Sequence, residues 1–329
     1  MTPLNRRTFS AWAAGLPLAV TTVRALAQDF PTRPIRIVVP FNAGGPVDII
    51  ARSLGARLGP LMGQTVIVDN KGGASTIIGT DNVVKSPPDG YSLLLVGSGA
   101  RTILPAVTKL PYDPASDLMP VSLVVASPQI FVASPQLAAK GVNSLKALTA
   151  YANANPGKLN VGSVGAGTIT SLVGELYKRE QSLKVVDVPF RGGAPAVQAL
   201  MAGEIDYLTA DVAAVIPLIQ SKKLVGLAVT ANKRVKELAD VPSVVEAGYP
   251  SLVAVNAYCL FAPAKTPPEV IAKIQKAVAA ALKAPELTSQ FEKSGMQAVG
   301  STSAELEKLL VDQTTKWMPL VRALGIRID

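Results

Sequence analysis

Two stretches of the 329-residue chain share one order of residue types: VVPFNAGGPVDII (residues 38–50) and DVPFRGGAPAVQAL (residues 187–200). Each has an apolar run, a Pro-Phe pair, a Gly-Gly turn and then an apolar-periodic segment. This order predicts a buried strand, a tight turn and the start of a helix. The first of these helices is predicted to end at Gly59-Pro60. A chain that builds the same junction twice, about half its length apart, is predicted to contain two α/β units.

Strand-like and helix-like segments alternate along the remaining chain, which predicts parallel α/β organisation. Two long apolar runs, residues 120–134 and 252–264, interrupt the alternation. We interpret them as strands that cross from one unit to the other and back. The predicted fold is α/β, with two doubly wound lobes joined by two crossing strands and a ligand cleft between them. Lobe one is predicted to comprise residues 28–126 and 254–329, and lobe two residues 127–253.

The first 27 residues predict an export signal. They contain Arg6 and Arg7, no acidic residue, a short apolar run, and an ALA sequence that ends at Ala27. Cleavage is expected after Ala27, which predicts a periplasmic protein, and the RRTF sequence resembles a twin-arginine signal. A buried N-terminal helix is the alternative, but no helical face alternates within the run. No other segment has about 18 uninterrupted apolar residues, so no transmembrane helix is predicted.

The chain contains no histidine. This excludes Ser-His-Asp and Cys-His nucleophile systems and the common histidine-bearing metal sites, so neither a metal nor a cofactor is predicted. The single cysteine, Cys259, lies in an apolar context and is predicted to be a small buried hydrophobe. Chemistry by carboxylates alone remains open, with Asp48 and Asp211 as the pair, although both also suit helix N-termini.

Charge and aromatic content argue against nucleic acid as a partner. Loss of the three arginines in the leader lowers the net charge from +9 to +6, and the remaining basic residues are scattered. Aromatic residues make up only 5% of the chain, and no basic stripe is interleaved with them.

A strand that ends in a Gly-Gly turn and opens a helix leaves backbone N–H groups without internal acceptors. The helix dipole adds partial positive charge there, and glycine lets a ligand approach closely. One such junction per lobe, at the carboxyl ends of strands, predicts two anion sites across a shared crevice. Neither junction is a phosphate loop or a complete dinucleotide fingerprint. The alternative is that both junctions are tight turns without a binding role.

Further junctions of this kind contribute candidate residues. The segment VGSGART places Ser98 and Gly99 after a lobe-one strand, and VGSVGAGTIT places Thr168 before a lobe-two helix. Asp211 follows a strand and precedes a helix, so helix capping and ligand contact are both open for it. Asp48 lies in the first turn of its helix, where a carboxylate suits the dipole.

These residues, in this order and spacing, resemble a known family. The segments PIRIVVPFNAGGPVDIIAR, PPDGYSLLLVGSG, VPFRGGAPAVQALMAGEID and GLAVTANKRVKELADVPSVVEAG carry the resemblance, which covers the whole chain after the leader. The family is that of Bug-type periplasmic solute-binding proteins, the receptors of tripartite tricarboxylate transporters. The resemblance implies a type II periplasmic-binding-protein fold that closes on a small carboxylate. It also implies integral membrane transporter subunits as partners, and a monomer is expected.

Junction and resemblance together give the candidate ligand-binding residues. They are Phe41, Asn42, Ala43, Gly44, Gly45, Asp48, Ser98, Gly99, Arg101, Ser163, Thr168, Phe190, Arg191, Gly192, Gly193 and Asp211.

Several positions depart from the family pattern. Arg101 stands where histidine is common, and a second ligand carboxylate is a possible bidentate partner for it; a surface arginine is the alternative. Ala257 replaces a frequent tryptophan, which implies room for a bulkier or aromatic ligand.

The sequence therefore predicts a periplasmic receptor, not an enzyme, that captures a small organic carboxylate and delivers it to a membrane transporter. A receptor of the same fold that signals to a membrane sensor kinase is the alternative. A periplasmic enzyme that uses two carboxylates is the least favoured hypothesis.

Overall fold

The computed structural model describes residues 30–164, 168–190 and 193–325, so the predicted export signal lies outside the described residues. The strands are β1 (Ile35–Val39), β2 (Val66–Asn70), β3 (Ser92–Gly97), β4 (Leu118–Ala133), β5 (Asn160–Val164), β6 (Val186–Phe190), β7 (Tyr207–Asp211), β8 (Val225–Val229), β9 (Val255–Pro263) and β10 (Gln297–Ala298). The helices are α1 (Pro46–Met62), α2 (Ile77–Val84), α3 (Gly99–Thr102), α4 (Leu104–Val107), α5 (Pro135–Ala138), α6 (Leu145–Ala154), α7 (Ile169–Glu180), α8 (Gly193–Ala202), α9 (Val212–Gln220), α10 (Pro268–Leu282), α11 (Pro285–Lys293) and α12 (Ser303–Leu324). Within these described ranges, every helix is too short or too polar to cross a bilayer.

The long strand β4 belongs to both halves of the sheet. The strand order is β2-β1-β3-β9-β4-β7-β5-β6, and β8 and β10 also pair with β4. Its first part, as far as Pro128, pairs antiparallel with β9, and its last five residues pair with β7 and β8. The two-lobed α/β fold and the crossing strand predicted over residues 120–134 are therefore confirmed.

The two halves repeat one strand order. The first half runs β2-β1-β3-β9-β4, and the second runs β6-β5-β7-β4-β8. In each half, three parallel strands come first and two strands of alternating direction complete the sheet. The end of β4 therefore takes, in the second half, the place that β9 has in the first.

Strand directions bring the two sets of junctions face to face. In the first half, β4 runs in the same direction as β1, β2 and β3, because β9 is antiparallel to both β3 and β4. In the second half, β7 and the strands parallel to it run opposite to β4. The carboxyl ends of both parallel sets therefore point at the place where β4 crosses, which is where open α/β sheets bind ligands.

Helix α1 continues past the predicted stop at Gly59-Pro60. It ends at Met62, where Gly63 adopts φ +69° and donates its N–H to the Gly59 carbonyl. Pro60 lies in the last turn, so it removes only one helical hydrogen bond. Burial of Leu58 and Met62 on either side of it favours the helix, so tertiary packing overrides the local signal.

Two of the hydrophobic cores share the last helix. Near its start, Leu306 and Leu310 of α12 pack in a core with β3 and β9. Near its end, Trp317 and Val321 pack in a core formed mainly by residues of the second half. The segment 103–107 joins that second core as well. The lobe bounds derived from the sequence therefore stay predictions. Cys259 is fully buried in β9, as predicted.

Candidate functional site

The two rows of strand ends meet where β4 changes partners. Ser127 lies opposite Asn256 of β9, whereas Gln129 lies opposite Asp211, the last residue of β7. These four residues and Tyr258 are called the cleft floor below. The βα junctions of the two halves form its opposing walls.

The β1–α1 junction has the predicted form, and it carries its own carboxylate. Gly44 has φ +84°, which favours glycine, and its N–H donates to Asp48 Oδ2 at 2.9 Å. Asp48 is buried, and Arg52 Nε donates to the same oxygen at 3.0 Å. This hydrogen bond is the main reason why the pKa of Asp48 lies below its usual value. Asp48 therefore fixes the turn and already neutralises part of the helix N-terminus.

A second layer supports this junction from the end of β2. The Arg52 guanidinium donates to Asn70 Oδ1 at 3.0 Å, and Asn70 Nδ2 donates to the Phe41 carbonyl at 3.2 Å. A Cβ added at Gly72 would lie 2.9 Å from Asn42 Oδ1, so the two loops are in close contact. Phe41 keeps 39% of its surface exposed at the rim of the junction.

The β3–α3 junction is tied to the neighbouring strand β9. The Ser98 N–H donates to the Ala257 carbonyl at 2.7 Å, and Gly99 then opens α3. Ser98 is fully buried, and its Oγ has no partner among the described residues. Ala257 is also fully buried, in the core with β3, so its side chain does not give the cleft the extra room expected from the family comparison.

The Arg101 side chain contacts the last helix. Its guanidinium donates to Glu307 Oε2 at 2.5 Å and Oε1 at 3.0 Å, and to the Ala115 carbonyl at 3.2 Å. The alternatives left open for Arg101 were a ligand contact and a surface arginine. The structure places it in neither environment. Only 9% of its side chain is exposed, so it is not a surface arginine. Both terminal nitrogens of its guanidinium donate to Glu307, so that carboxylate takes the place expected for a ligand.

The β5–α7 junction is capped by Thr168. Its Oγ1 accepts the Ser171 N–H at 3.1 Å and donates to the Val164 carbonyl at 3.0 Å. Ser163 lies near the end of β5, opposite Pro189 of β6. Thr168 therefore orients the start of α7 at the wall of the cleft.

The β6–α8 junction holds the second Pro-Phe–Gly-Gly copy. Phe190 ends β6 and Gly193 begins α8, while Arg191 and Gly192 lie outside the described residues. The two copies are not equivalent by topology. β1 lies between two parallel strands, whereas β6 is the edge strand of its half, as β2 is in the other half. In the second half, the strand at the position equivalent to that of β1 is β5.

Asp211 connects the second half to both β4 and β9. Its Oδ1 accepts the Ala213 N–H at 3.1 Å, which caps α9, and the Ser127 hydroxyl at 2.8 Å. Its Oδ2 accepts the Tyr258 hydroxyl at 3.1 Å. Asn256 Nδ2 in turn donates to the Tyr258 oxygen at 3.1 Å. The two roles left open for Asp211 therefore coexist, since it caps a helix and also stands on the cleft floor.

Burial controls the ionisation of this cluster. Desolvation raises the pKa of Asp211, and the hydrogen bond from Ser127 is the largest of the opposing effects. Desolvation also raises the pKa of Tyr258, and the charge of Asp211 adds to that effect. The phenol therefore stays protonated and serves as a donor at any physiological pH.

The remaining residues of the cleft floor, Tyr258 among them, were not predicted from the sequence. Ser127, Gln129 and Asn256 lie in the two runs interpreted as apolar crossings, and Thr170 Oγ1 donates to Gln129 Oε1 at 2.6 Å. A signal was present, because each is a polar residue inside an otherwise apolar strand. Such residues need a buried partner or a ligand. Across the described ranges, no group of three acidic or thiol side chains has a metal-binding arrangement.

Comparison with known proteins gives a family match over most of the chain. Residues 50–326 match the model of the Tripartite tricarboxylate transporter family receptor. Protein BugT of Bordetella pertussis is 33% identical over 304 residues, which cover 92% of each chain.

Solved structures agree with this match. The R. palustris protein Rpa4515, solved with adipate, has a TM-score of 0.82 and 30% identity, and the alignment covers 91% of this chain and 99% of that one. MatC from Rhodopseudomonas palustris, solved with bound malate, has a TM-score of 0.78 and 29% identity over 89% of this chain and 100% of that one. The fold of two repeated half-sheets agrees with this sequence match. The chain therefore belongs to the family of tripartite tricarboxylate transporter receptors, the Bug-type periplasmic solute-binding proteins.

Proposed function

We propose that this protein captures a small organic carboxylate in the periplasm and delivers it to the integral membrane subunits of a tripartite tricarboxylate-type transporter. One observation carries the proposal: the βα junctions of both halves face each other across the point where β4 crosses. Opposed helix starts and glycine turns suit an anion held between two walls. Binding of this kind needs no covalent step, so the protein acts as a receptor and not as an enzyme.

The proposed ligand-binding residues come from both walls. In the first half they are Phe41, Asn42, Ala43, Gly44, Gly45, Ser98 and Gly99, and in the second half Ser163, Thr168, Phe190, Arg191, Gly192, Gly193 and Asp211. Asp48 supports the first wall through Gly44, and Arg101 is assigned to the contact with the last helix.

A carboxylate as ligand agrees with what is bound in two similar structures, adipate in Rpa4515 and malate in MatC. Micromolar affinity corresponds to about −8 kcal/mol. A few charge-assisted hydrogen bonds of roughly 1.5–3 kcal/mol each, offset by the cost of closing the cleft, are sufficient. Rotation about β4 and β9 is the proposed closing motion, a hinge of the kind used by two-lobed binding proteins.

The periplasmic location rests on the predicted signal of residues 1–27 and on the family. Native mass spectrometry of the chain from Gln28 onwards, followed by a thermal-shift screen of mono-, di- and aromatic carboxylates, tests the proposed function directly. A ligand that binds only the folded state raises the melting temperature with its concentration. Absence of any copurified mass and of any stabilisation across the acids would reject carboxylate capture.

Gly193→Asp tests the second wall. Among the described residues, no heavy atom lies within 4 Å of a Cβ built at Gly193, so a side chain fits there without a clash. Aspartate in the first turn also suits the dipole of α8, so the fold is expected to be retained. The added charge should weaken binding of the acid found in the screen by at least about 30-fold, which corresponds to roughly 2 kcal/mol. Gly193→Ala is the matched control and should stay within about threefold of wild type by calorimetry. Unchanged affinity in Gly193→Asp would remove this junction from the site.

A further inference from the structure

Gln129 lies at the point where β4 leaves β9 and joins the second half of the sheet. Pro128 is the last residue of β4 to pair with β9, and Gln129 is the first to pair with β7, opposite Asp211. Gln129 is fully buried, so it offers no surface to a molecule in the cleft. A buried amide needs partners for both its oxygen and its nitrogen, and these partners define its role.

The side-chain amide of Gln129 holds the starts of two helices. Its Oε1 accepts the hydroxyl of Thr170, the second residue of α7, at 2.6 Å. Desolvation raises the pKa of Asp211, the N-cap of α9, and a hydrogen bond from the Gln129 amide is among the contacts that oppose it. Its Nε2 also donates to the Ser127 carbonyl, at 3.4 Å. One buried side chain thus connects the first turn of α7 and the cap of α9 to β4.

The backbone of Gln129 is fixed in turn by Thr230, the residue that follows β8. Thr230 is fully buried, and its N–H donates to the Gln129 carbonyl at 2.7 Å. Its hydroxyl accepts the Gln129 N–H at 2.8 Å and donates to the Ala254 carbonyl at 2.6 Å. Ala254 precedes β9 and donates its own N–H to the Thr230 carbonyl at 2.8 Å. Thr230 therefore lies between β4 and the start of β9, and it fixes Gln129 from the side opposite β7.

The helix starts that Gln129 holds belong to the second wall of the cleft. The partial positive charge of a helix is confined to its first turn, so the field at an anion between the walls depends on where these turns lie. We infer that Gln129 and Thr230 are positioning residues for the ligand. Gln129 sets the starts of α7 and α9, and the Thr230 hydroxyl holds Gln129 in place, while neither residue touches the ligand. This inference rests on the proposed function and assigns residues that act behind its second wall.

Hydrogen exchange in the ligand-free protein, followed by NMR, tests the positioning directly. Gln129→Met removes the amide and keeps an unbranched, flexible side chain in the buried site. It should speed exchange of the capped amides at both helix starts, Ser171 in α7 and Ala213 in α9, by at least about tenfold. The Ala147 N–H, which the Ser144 hydroxyl caps at 3.2 Å in α6, is the matched control and should not change. Wild-type exchange at both helix starts would overturn the inference.

Ligand affinity tests the consequence for binding. The probes are adipate and malate, the acids bound in the two similar structures, each titrated calorimetrically. Thr230→Val removes the hydroxyl at nearly constant volume, and it should weaken binding of the acid that wild type binds by at least about tenfold. Thr230→Ser keeps the hydroxyl and should stay within about threefold of wild type. If neither acid bound wild type, that result would count against the proposed function, and hydrogen exchange would decide the inference.

Thr266→Val separates positioning from stability. Thr266 is also buried, and its hydroxyl donates to the Pro263 carbonyl at 2.8 Å, beyond the other end of β9. Both valine variants should lower the melting temperature, because each loses a buried hydrogen bond. Only Thr230→Val should lose affinity. Equal affinities in the two variants, on samples with wild-type circular dichroism, would overturn the role of Thr230.

Discussion

The ion pair between Arg101 and Glu307 is expected to stabilise the fold, and the burial of its two side chains sets the size of the effect. These residues are 206 positions apart, and their contact fastens the last helix to the β3–α3 junction. Only 9% of the Arg101 side chain is exposed, against 43% for Glu307. Glu307→Ala therefore leaves a nearly buried guanidinium with the Ala115 carbonyl as its remaining partner.

The magnitude follows from the unequal burial of the two partners. Loss of one partner from a fully buried pair costs about 3–5 kcal/mol, and loss of an exposed pair costs at most about 1 kcal/mol. With one end buried and the other half exposed, we expect Glu307→Ala to lower the free energy of unfolding by about 2 kcal/mol. Arg101→Met should cost less, because the remaining Glu307 carboxylate can regain water. It should also keep ligand affinity within about threefold, since Arg101 lies outside the proposed pocket.

Urea unfolding followed by circular dichroism measures both effects. The same helix supplies the control pair Lys308–Asp312, whose side chains are 76% and 59% exposed. Asp312→Ala should change the free energy of unfolding by less than about 0.5 kcal/mol. If Glu307→Ala were no more destabilising than Asp312→Ala, the reasoning from burial would be refuted.

Two further predictions concern the first wall of the cleft. A Cβ at Gly79 would lie 2.7 Å from the Lys71 carbonyl oxygen and 2.8 Å from Pro40 Cβ. Gly79→Ala should therefore lower the free energy of unfolding, measured by urea titration, by at least about 2 kcal/mol. A near-neutral variant would contradict the close packing of these loops. The pKa of Asp48 lies below its usual value of 3.8 because of Arg52, so the stabilisation from its charge is present above about pH 3.8 and is lost as the pH falls through the lowered pKa. The melting temperature of wild type should accordingly exceed that of Asp48→Asn at neutral pH, and the difference should shrink in acid; a pH-independent difference would argue against this linkage.

Local sequence patterns were sufficient to predict the junctions and the crossing strand. The run over residues 120–134 predicted β4 because an apolar, β-rich segment of that length is consistent only with a long buried strand among these alternating elements. The Gly-Gly turn at Gly44 was predictable because its positive φ requires the residue type that marks it in the sequence.

Spatial order was not predictable from local patterns. The two Pro-Phe–Gly-Gly copies look equivalent, yet one follows the internal strand β1 and the other the edge strand β6. Strand, turn and helix signals are the same in both places, since they report the local backbone and not the neighbours of a strand. The partner of Arg101 was unpredictable for the same reason, because a contact over 206 positions depends on how the last helix packs.

The cleft floor was predictable from the sequence only in part. Polar residues such as Gln129 and Asn256 were visible in apolar runs, but only the strand register brings them next to Asp211. Periodicity indicates which residues are buried, whereas register decides which buried polar groups meet.

The last helix joins the two halves by a route separate from β4. With 22 residues, α12 is about 33 Å long, and it is anchored near its start through Leu310 in one core and near its end through Trp317 in another. A rigid rod fixed to two bodies that also share a continuous strand restricts sliding and twisting of one body against the other. The rotation proposed about β4 and β9 must therefore be accommodated by this helix and its two anchors, so contacts that do not touch the ligand contribute to the stability of the proposed closed state.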